Sequence, residues 1–129
     1  MNDRYAVGRR IRSEVLGEDT VRRRLDEADP FNREFQQLIT EFCWGAGWGR
    51  TALTRRDRSL MNIGMLAALN RPEEFAQHVR AAIGNGIGRE ELKDALIQVG
   101  IYCGVPAGVE AFRIATRVLG ELEVKATPK

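Results

Sequence analysis

The sequence predicts an all-α fold, one domain arranged as a bundle of about six to seven helices. Three observations carry that reading. Apolar residues recur at helical spacing along most of the chain. Alternating apolar/polar runs of the strand type are absent, and β-branched clusters are short. Gly, Pro and capping residues divide the chain into lengths that suit ordinary helices, with no internal repeat and no low-complexity linker.

Tyr5 to Leu16 reads as the first helix, closed by Gly17. Thr20 to Ala28 reads as a short second one, with Asp19 or Thr20 as its cap and Pro30 as its stop. The third runs from Asn32 to Trp44. Phe31, Phe35, Leu38, Ile39 and Phe42 fall at i, i+4, i+7, i+8 and i+11, which makes one apolar stripe. Gly45, Gly47 and Gly49 then break the pattern, so Trp44 to Thr51 is expected to be a loop or a loose last turn.

Thr54, with Asp57 three residues on, comes close to a capping box and opens a fourth helix that runs to about Leu69. Gly64, Ala67 and Ala68 would let another helix approach it closely. Pro72, followed by Glu73 and Glu74, suits the start of a fifth helix. That helix carries Phe75, His78, Val79, Ala82 and Ile83 and ends at Asn85-Gly86. Arg89 to Tyr102 is the sixth, with Leu92, Leu96, Val99 and Tyr102 or Cys103 on one face. Gly104-Val105-Pro106 makes a break before the last helix, Ala107 to Leu122, and the tail from Glu123 is expected to fray.

A chain of 129 residues suits a single domain, with its core at residues 5–122. A hydrophobic fraction of 43% with 29% charged residues is globular and not disordered. The late helices are rich in Gly and Ala and have wide apolar faces. Part of that surface is expected to be buried between subunits, a tight monomeric bundle being the alternative.

The net charge of +2 is too small to suggest a nucleic-acid partner. Arg9, Arg10 and Arg12, and then Arg22 to Arg24, read as solvated helix faces. Cys43 and Cys103 form no C-x-x-C and no metal-ligand spacing, so they read as small buried hydrophobes in the reduced state. Residues 1–16 carry charges throughout, with no signal-peptide apolar region, and no apolar run reaches the roughly 18 residues of a membrane span. A cytoplasmic location is expected.

His78 is the sole histidine, and it lies close to the apolar side of its helix. Imidazole can exchange a proton near neutral pH, although on its residues alone a packing or surface histidine is the stronger reading. One histidine makes a His-based metal site implausible, and there is no nucleophile elbow for a serine triad. Trp44 and Trp48 are i, i+4, with Arg50 two residues later. An apolar wall beside guanidinium groups would make a pocket for a small carboxylate, two core tryptophans and a surface arginine being the plain alternative. Arg55 and Arg58 are i, i+3 and could hold one anion together. Tyr102 could donate a hydrogen bond or simply pack at a helix end. Glu90, Glu91 and Asp94 read as first-turn acids.

Three stretches carry a family resemblance. Phe35-Gln36-Gln37-Leu38-Ile39 leads to Trp44-Gly45, Trp48 and Arg50. Leu53 through Arg58-Ser59-Leu60 runs on to His78-Val79-Arg80-Ala81-Ala82. Glu91-Leu92-Lys93-Asp94 leads through Gln98 to Ile101-Tyr102-Cys103-Gly104-Val105-Pro106-Ala107. With Val15-Leu16-Gly17, these resemble the carboxymuconolactone decarboxylase family over nearly the whole chain, from about Tyr5 to Leu122.

The resemblance implies an alkylhydroperoxidase-like helical fold and a homo-oligomeric ring, expected to be a hexamer. It implies loss of CO2 from 4-carboxymuconolactone to give 3-oxoadipate enol-lactone, in the protocatechuate branch of the β-ketoadipate pathway. It departs from the peroxidase members of the wider superfamily. Those carry a C-x-x-C pair with a histidine four residues on, whereas here Arg71 and Glu74 stand at the two cysteine positions before His78.

The implied reaction needs no metal and no organic cofactor, because the lactone itself takes up the electron pair. It needs a cationic anchor, donors aimed at the lactone oxygen, and a proton donor to carbon. Arg50, Arg55 and Arg58 suit the first two roles and His78 the third. Trp44 and Trp48 would form a dry wall, and Tyr102 would add a hydrogen bond. Two other readings compete: a peroxiredoxin-like antioxidant protein, which would need a reactive Cys43 or Cys103, and a non-catalytic oligomer that binds a small acid.

Overall fold

The computed structural model describes residues 3–126. These residues form seven α-helices and one π-helical segment, with no strand among them. The chain divides into two compact units, the first ending at Thr54 and the second beginning at Arg55.

The first unit holds α1 (Arg4–Leu16), α2 (Glu18–Leu25), α3 (Arg33–Ile39) and the π-helical segment Thr40–Gly47. The second helix is displaced from its expected place. Gly17 precedes it instead of Asp19 or Thr20, and it ends at Leu25, before Ala28. Glu18 and Asp19 in its first turn and Arg22 to Arg24 in its last complement the helix dipole. Ile11, Val15, Val21 and Leu25 are buried.

α1 lies against the π-helical segment at backbone distance. Arg4, Gly8 and Arg12 are i, i+4 and i+8, on one face. A Cβ on Gly8 would stand 1.9 Å from the Thr40 carbonyl oxygen, and one on Gly45 would stand 2.4 Å from the Arg4 carbonyl oxygen. Glycine at both positions is therefore a condition of the approach.

Further expectations fail in this unit. Arg12 is not on a solvated face: it is only 2% exposed. Arg9, one turn back, is half-buried and paired with Glu18 at 3.4 Å and Asp26 at 3.3 Å. The apolar stripe of the third helix points outward. Phe31, Phe35, Leu38 and Phe42 are all exposed, Phe31 at 98%.

The second unit is built from α4 (Arg55–Ala68), α5 (Pro72–Gly84), α6 (Arg89–Cys103) and α7 (Val105–Ala126). Ile63, Phe75, Val79, Leu92, Leu96, Ile114 and Val118 are at the centre of its core. Pro72 opens α5 as its sequence suggests, and Asn85 closes it. The turn before α5 places Asn70 at φ 57°, a conformation that asparagine tolerates better than most residues. Across this helical hairpin, Asn85 Nδ2 donates to the buried Ser59 Oγ at 2.9 Å.

Glu91 acts as a helix-start residue: it accepts the Gly88 N–H at 2.9 Å and pairs with Arg56 of α4. Gly104 at φ 104° makes the break between α6 and α7. The two helices then come close at Gly100 and Gly108, where a Cβ on Gly108 would lie 2.8 Å from the Gly100 Cα. The last helix does not fray at Glu123. It continues to Ala126, and its late turns are tied back by Arg80–Glu121 at 2.8 Å and by Arg89–Glu123. Residues 127–129 of the expected tail lie outside the described residues. No helix is long and apolar enough to cross a membrane among the described residues.

Candidate functional site

In the first unit Trp44 sits on the π-helical segment and not on a loop, and Trp48 is the residue that caps its end. Gly45 and Gly47 do not break the helix; the ladder widens through them, and the Trp48 N–H bonds the Cys43 carbonyl five residues back at 2.9 Å. The Trp44 and Trp48 rings stack, with centroids 4.8 Å apart and planes 25° from parallel. Both are buried. Arg50 follows in the turn that ends the segment, where it is exposed, and its N–H donates to the Gly47 carbonyl at 3.1 Å.

In the second unit, His78 is 9% exposed on α5. α5 packs against both α4 and α7, and its C-cap residue Asn85 bonds α4 through Ser59.

Arg58 stands near the open end of the hairpin, with Arg55 three residues before it on the same face; both are half-buried. The Arg58 Nε and the His78 Nδ1 are shielded from solvent, and both residues are engaged by their neighbours. The hairpin thus brings His78 and Arg58 onto adjoining helices. Tyr102 stands apart from them: at 79% exposure it lies on the outer side of α6, beside the exposed Ile101.

Neither cysteine is the buried hydrophobe that its spacing suggested; both are exposed. The Cys43 thiol is nonetheless pushed above its usual range by burial of its sulfur, and the charge of Arg12 pulls in the opposite direction. Among the described residues no group of three or more His, Cys, Asp or Glu side chains gathers as a metal site.

A cavity of about 280 Å³ opens in the second unit between the α4–α5 turn and the start of α7. Leu66, Arg71, Phe75, Pro106, Glu110 and Ile114 are among its lining residues. None of His78, Arg55, Arg58 or Tyr102 lines it, and sequence reasoning gave no sign of it. Arg12 was missed as well. Its one sequence signal is its position four residues after Gly8, on the face of α1 that has to be narrow.

The described residues form helices without strands, with a buried histidine on α5 and arginines on α4, and the chain falls in the alkylhydroperoxidase-like class of helical proteins, here without the class's thiol pair. The Carboxymuconolactone decarboxylase family matches residues 33–117, and the chain belongs to that family. It is 41% identical over 126 residues to 4-carboxymuconolactone decarboxylase of Acinetobacter baylyi, a match that covers 96% of this chain and 94% of that protein. It is 35% identical over 125 residues to nitrosuccinic acid decarboxylase of Metarhizium robertsii, covering 97% of this chain and 87% of that protein.

Proposed function

We propose that the protein is a carboxy-lyase that removes CO2 from 4-carboxymuconolactone and releases 3-oxoadipate enol-lactone, in the cytoplasm, as a step of protocatechuate catabolism. The observation that carries this is the match at 41% identity over almost the full length of a 4-carboxymuconolactone decarboxylase. The second relative supports the chemistry from another side. Nitrosuccinic acid, like the lactone, is a dicarboxylic acid in which one carboxylate sits where an electron-withdrawing group can take up its bonding pair. A nitro group does this as a nitronate, and the lactone does it through its ring double bond as a dienolate.

The carbon–carboxylate bond at the γ-carbon breaks, CO2 leaves, and the pair spreads onto the lactone oxygen. A proton then adds at the α-carbon. His78 delivers that proton. Arg58 and Arg55 hold the carboxymethyl arm and face the oxygen where charge grows, with Arg50 as a further cation. Trp44 and Trp48 form an apolar wall, which disfavours a localised carboxylate more than a delocalised dienolate. The substrate supplies its own electron sink, so neither a metal nor an organic cofactor takes part.

The active form is a homo-oligomer, a hexamer on the family's pattern. Exposed apolar side chains support this: Met61 and Met65 on α4 with Leu69 just past its end, Ile97 and Ile101 on α6, and Val105 and Val109 on α7. Light scattering on the purified protein reads the copy number directly.

Turnover in deuterated water tests the reaction itself. The enol-lactone should carry one deuteron at its α-carbon, bound to a single face. Deuterium on both faces would mean that protonation occurs in bulk solvent and that His78 does not direct it.

A further inference from the structure

Arg12 is a buried cation that the proposed reaction does not use. Its guanidinium donates to Thr40 Oγ1 at 2.9 Å and to Gln36 Oε1 at 3.0 Å. Neither acceptor is charged, and its Nε is buried without a hydrogen-bond partner. Taking a guanidinium out of water for two neutral acceptors is costly, so the contacts it fixes are the place to look for its use.

Those contacts fall at one point of the backbone. Gln36 lies in the last turns of α3, and Thr40 is the first residue of the π-helical segment. Because Arg12 donates to Thr40 Oγ1, the hydroxyl proton must point elsewhere, and it goes to the Gln36 carbonyl at 2.7 Å. The same carbonyl accepts the Thr40 N–H, which it shares with the Gln37 carbonyl. Arg12, Thr40 and Gln36 therefore form a chain of hydrogen bonds at the switch from four-residue to five-residue spacing. A hydroxyl bonded back onto its own helix is a recognised way to bend that helix. Gly8 lets α1 come close enough for the chain to form. Four residues past the switch stands Trp44, stacked on Trp48.

We infer that Arg12 is a positioning residue: through Thr40 it sets the α-to-π switch, and through the switch it sets the Trp44–Trp48 stack. The inference rests on the reading of those rings as a wall of the acid site. The chain has only two tryptophans. The long-wavelength near-UV circular dichroism band, to which tyrosine does not contribute, therefore reports on this pair alone.

The test compares Arg12→Met, Thr40→Val and Thr40→Ser, each by far-UV and near-UV circular dichroism and by kcat and KM with 4-carboxymuconolactone. Arg12→Met and Thr40→Val should keep their helical signal and lose most of the tryptophan band. Their kcat should fall about tenfold or more, with KM within about twofold of the parent. Thr40→Ser, which keeps the hydroxyl, should restore the band and kcat.

An unchanged tryptophan band in folded Thr40→Val overturns the inference. A lost band with unchanged kcat overturns its catalytic half. If Arg12→Met does not fold, the Thr40→Val and Thr40→Ser pair decides alone. If the parent protein does not turn over the lactone, the acid-site reading fails, while the spectra still decide whether Arg12 sets the stack.

Discussion

The indole rings of Trp44 and Trp48 stack at 4.8 Å between centroids, both buried, on and just past a π-helical segment that α1 approaches through close backbone contacts. Removing one ring leaves the other without its partner and opens a void. Trp48→Ala should cost about 3–5 kcal/mol in urea unfolding. Trp48→Phe should keep most of that stability and part of the stack.

His78 is nearly enclosed on α5 and is the only histidine in the chain. With no second imidazole to substitute, His78→Ala should lower kcat by about 10²- to 10⁴-fold. KM should stay within about threefold, because the lost group acts on the reacting carbon and not on the carboxylate anchor. Steady-state kinetics with a far-UV spectrum of the variant check this. A folded variant with unchanged kcat would remove His78 from the mechanism.

Cys43 and Cys103 are exposed and stand away from the positions where peroxidase relatives carry their thiol pair. The doubly substituted Cys43→Ser, Cys103→Ser protein should keep its full rate of lactone turnover. Neither it nor the parent should reduce a hydroperoxide above background. Parent activity against hydroperoxides that disappears in the double variant would favour the antioxidant reading.

The Cys43 thiol also gives a pH prediction. Burial raises its pKa in the folded protein, so as the pH climbs the unfolded chain loses this proton first. The stability it contributes is whole below the ordinary cysteine pKa and is lost as pH rises through the raised folded value. Urea unfolding from neutral to alkaline pH should show Cys43→Ser losing less stability than the parent over that window.

Gly8→Ala would place a Cβ 1.9 Å from the Thr40 carbonyl oxygen, a backbone atom that cannot swing aside. α1 would have to move away from the π-helical segment. The expected loss is about 1–3 kcal/mol or more by denaturant titration, with a changed tryptophan spectrum. Alanine at Gly64, which has open space around its Cβ position, serves as the control and should be neutral or mildly stabilising.

The second unit was the more legible in sequence, because its signals are local. Pro72 with Glu73 and Glu74 marked the start of α5, Asn85-Gly86 marked its end, and Leu92, Leu96 and Val99 gave the buried side of α6. The π-helical segment was hidden for a physical reason. A glycine read alone signals a break, and only the opposing Arg4 carbonyl shows why Gly45 is required inside a helix. Arg12 was hidden in the same way. An arginine among arginines looks solvated, and its burial is decided by Thr40 and Gln36, more than twenty residues away. The outward stripe of Phe31, Phe35, Leu38 and Phe42 had the period of a core face, and periodicity does not say what a face is to meet. Of the candidate site, the residue types and the His78 helix were readable. That Tyr102 faces outward was not.

The most direct measurement is carbon dioxide release from freshly prepared 4-carboxymuconolactone, with and without a metal chelator. The expected result is rapid release, equal in amount to the enol-lactone formed and unaffected by the chelator. No release from the folded protein would contradict the proposed reaction, and release abolished by the chelator would contradict its cofactor-free chemistry.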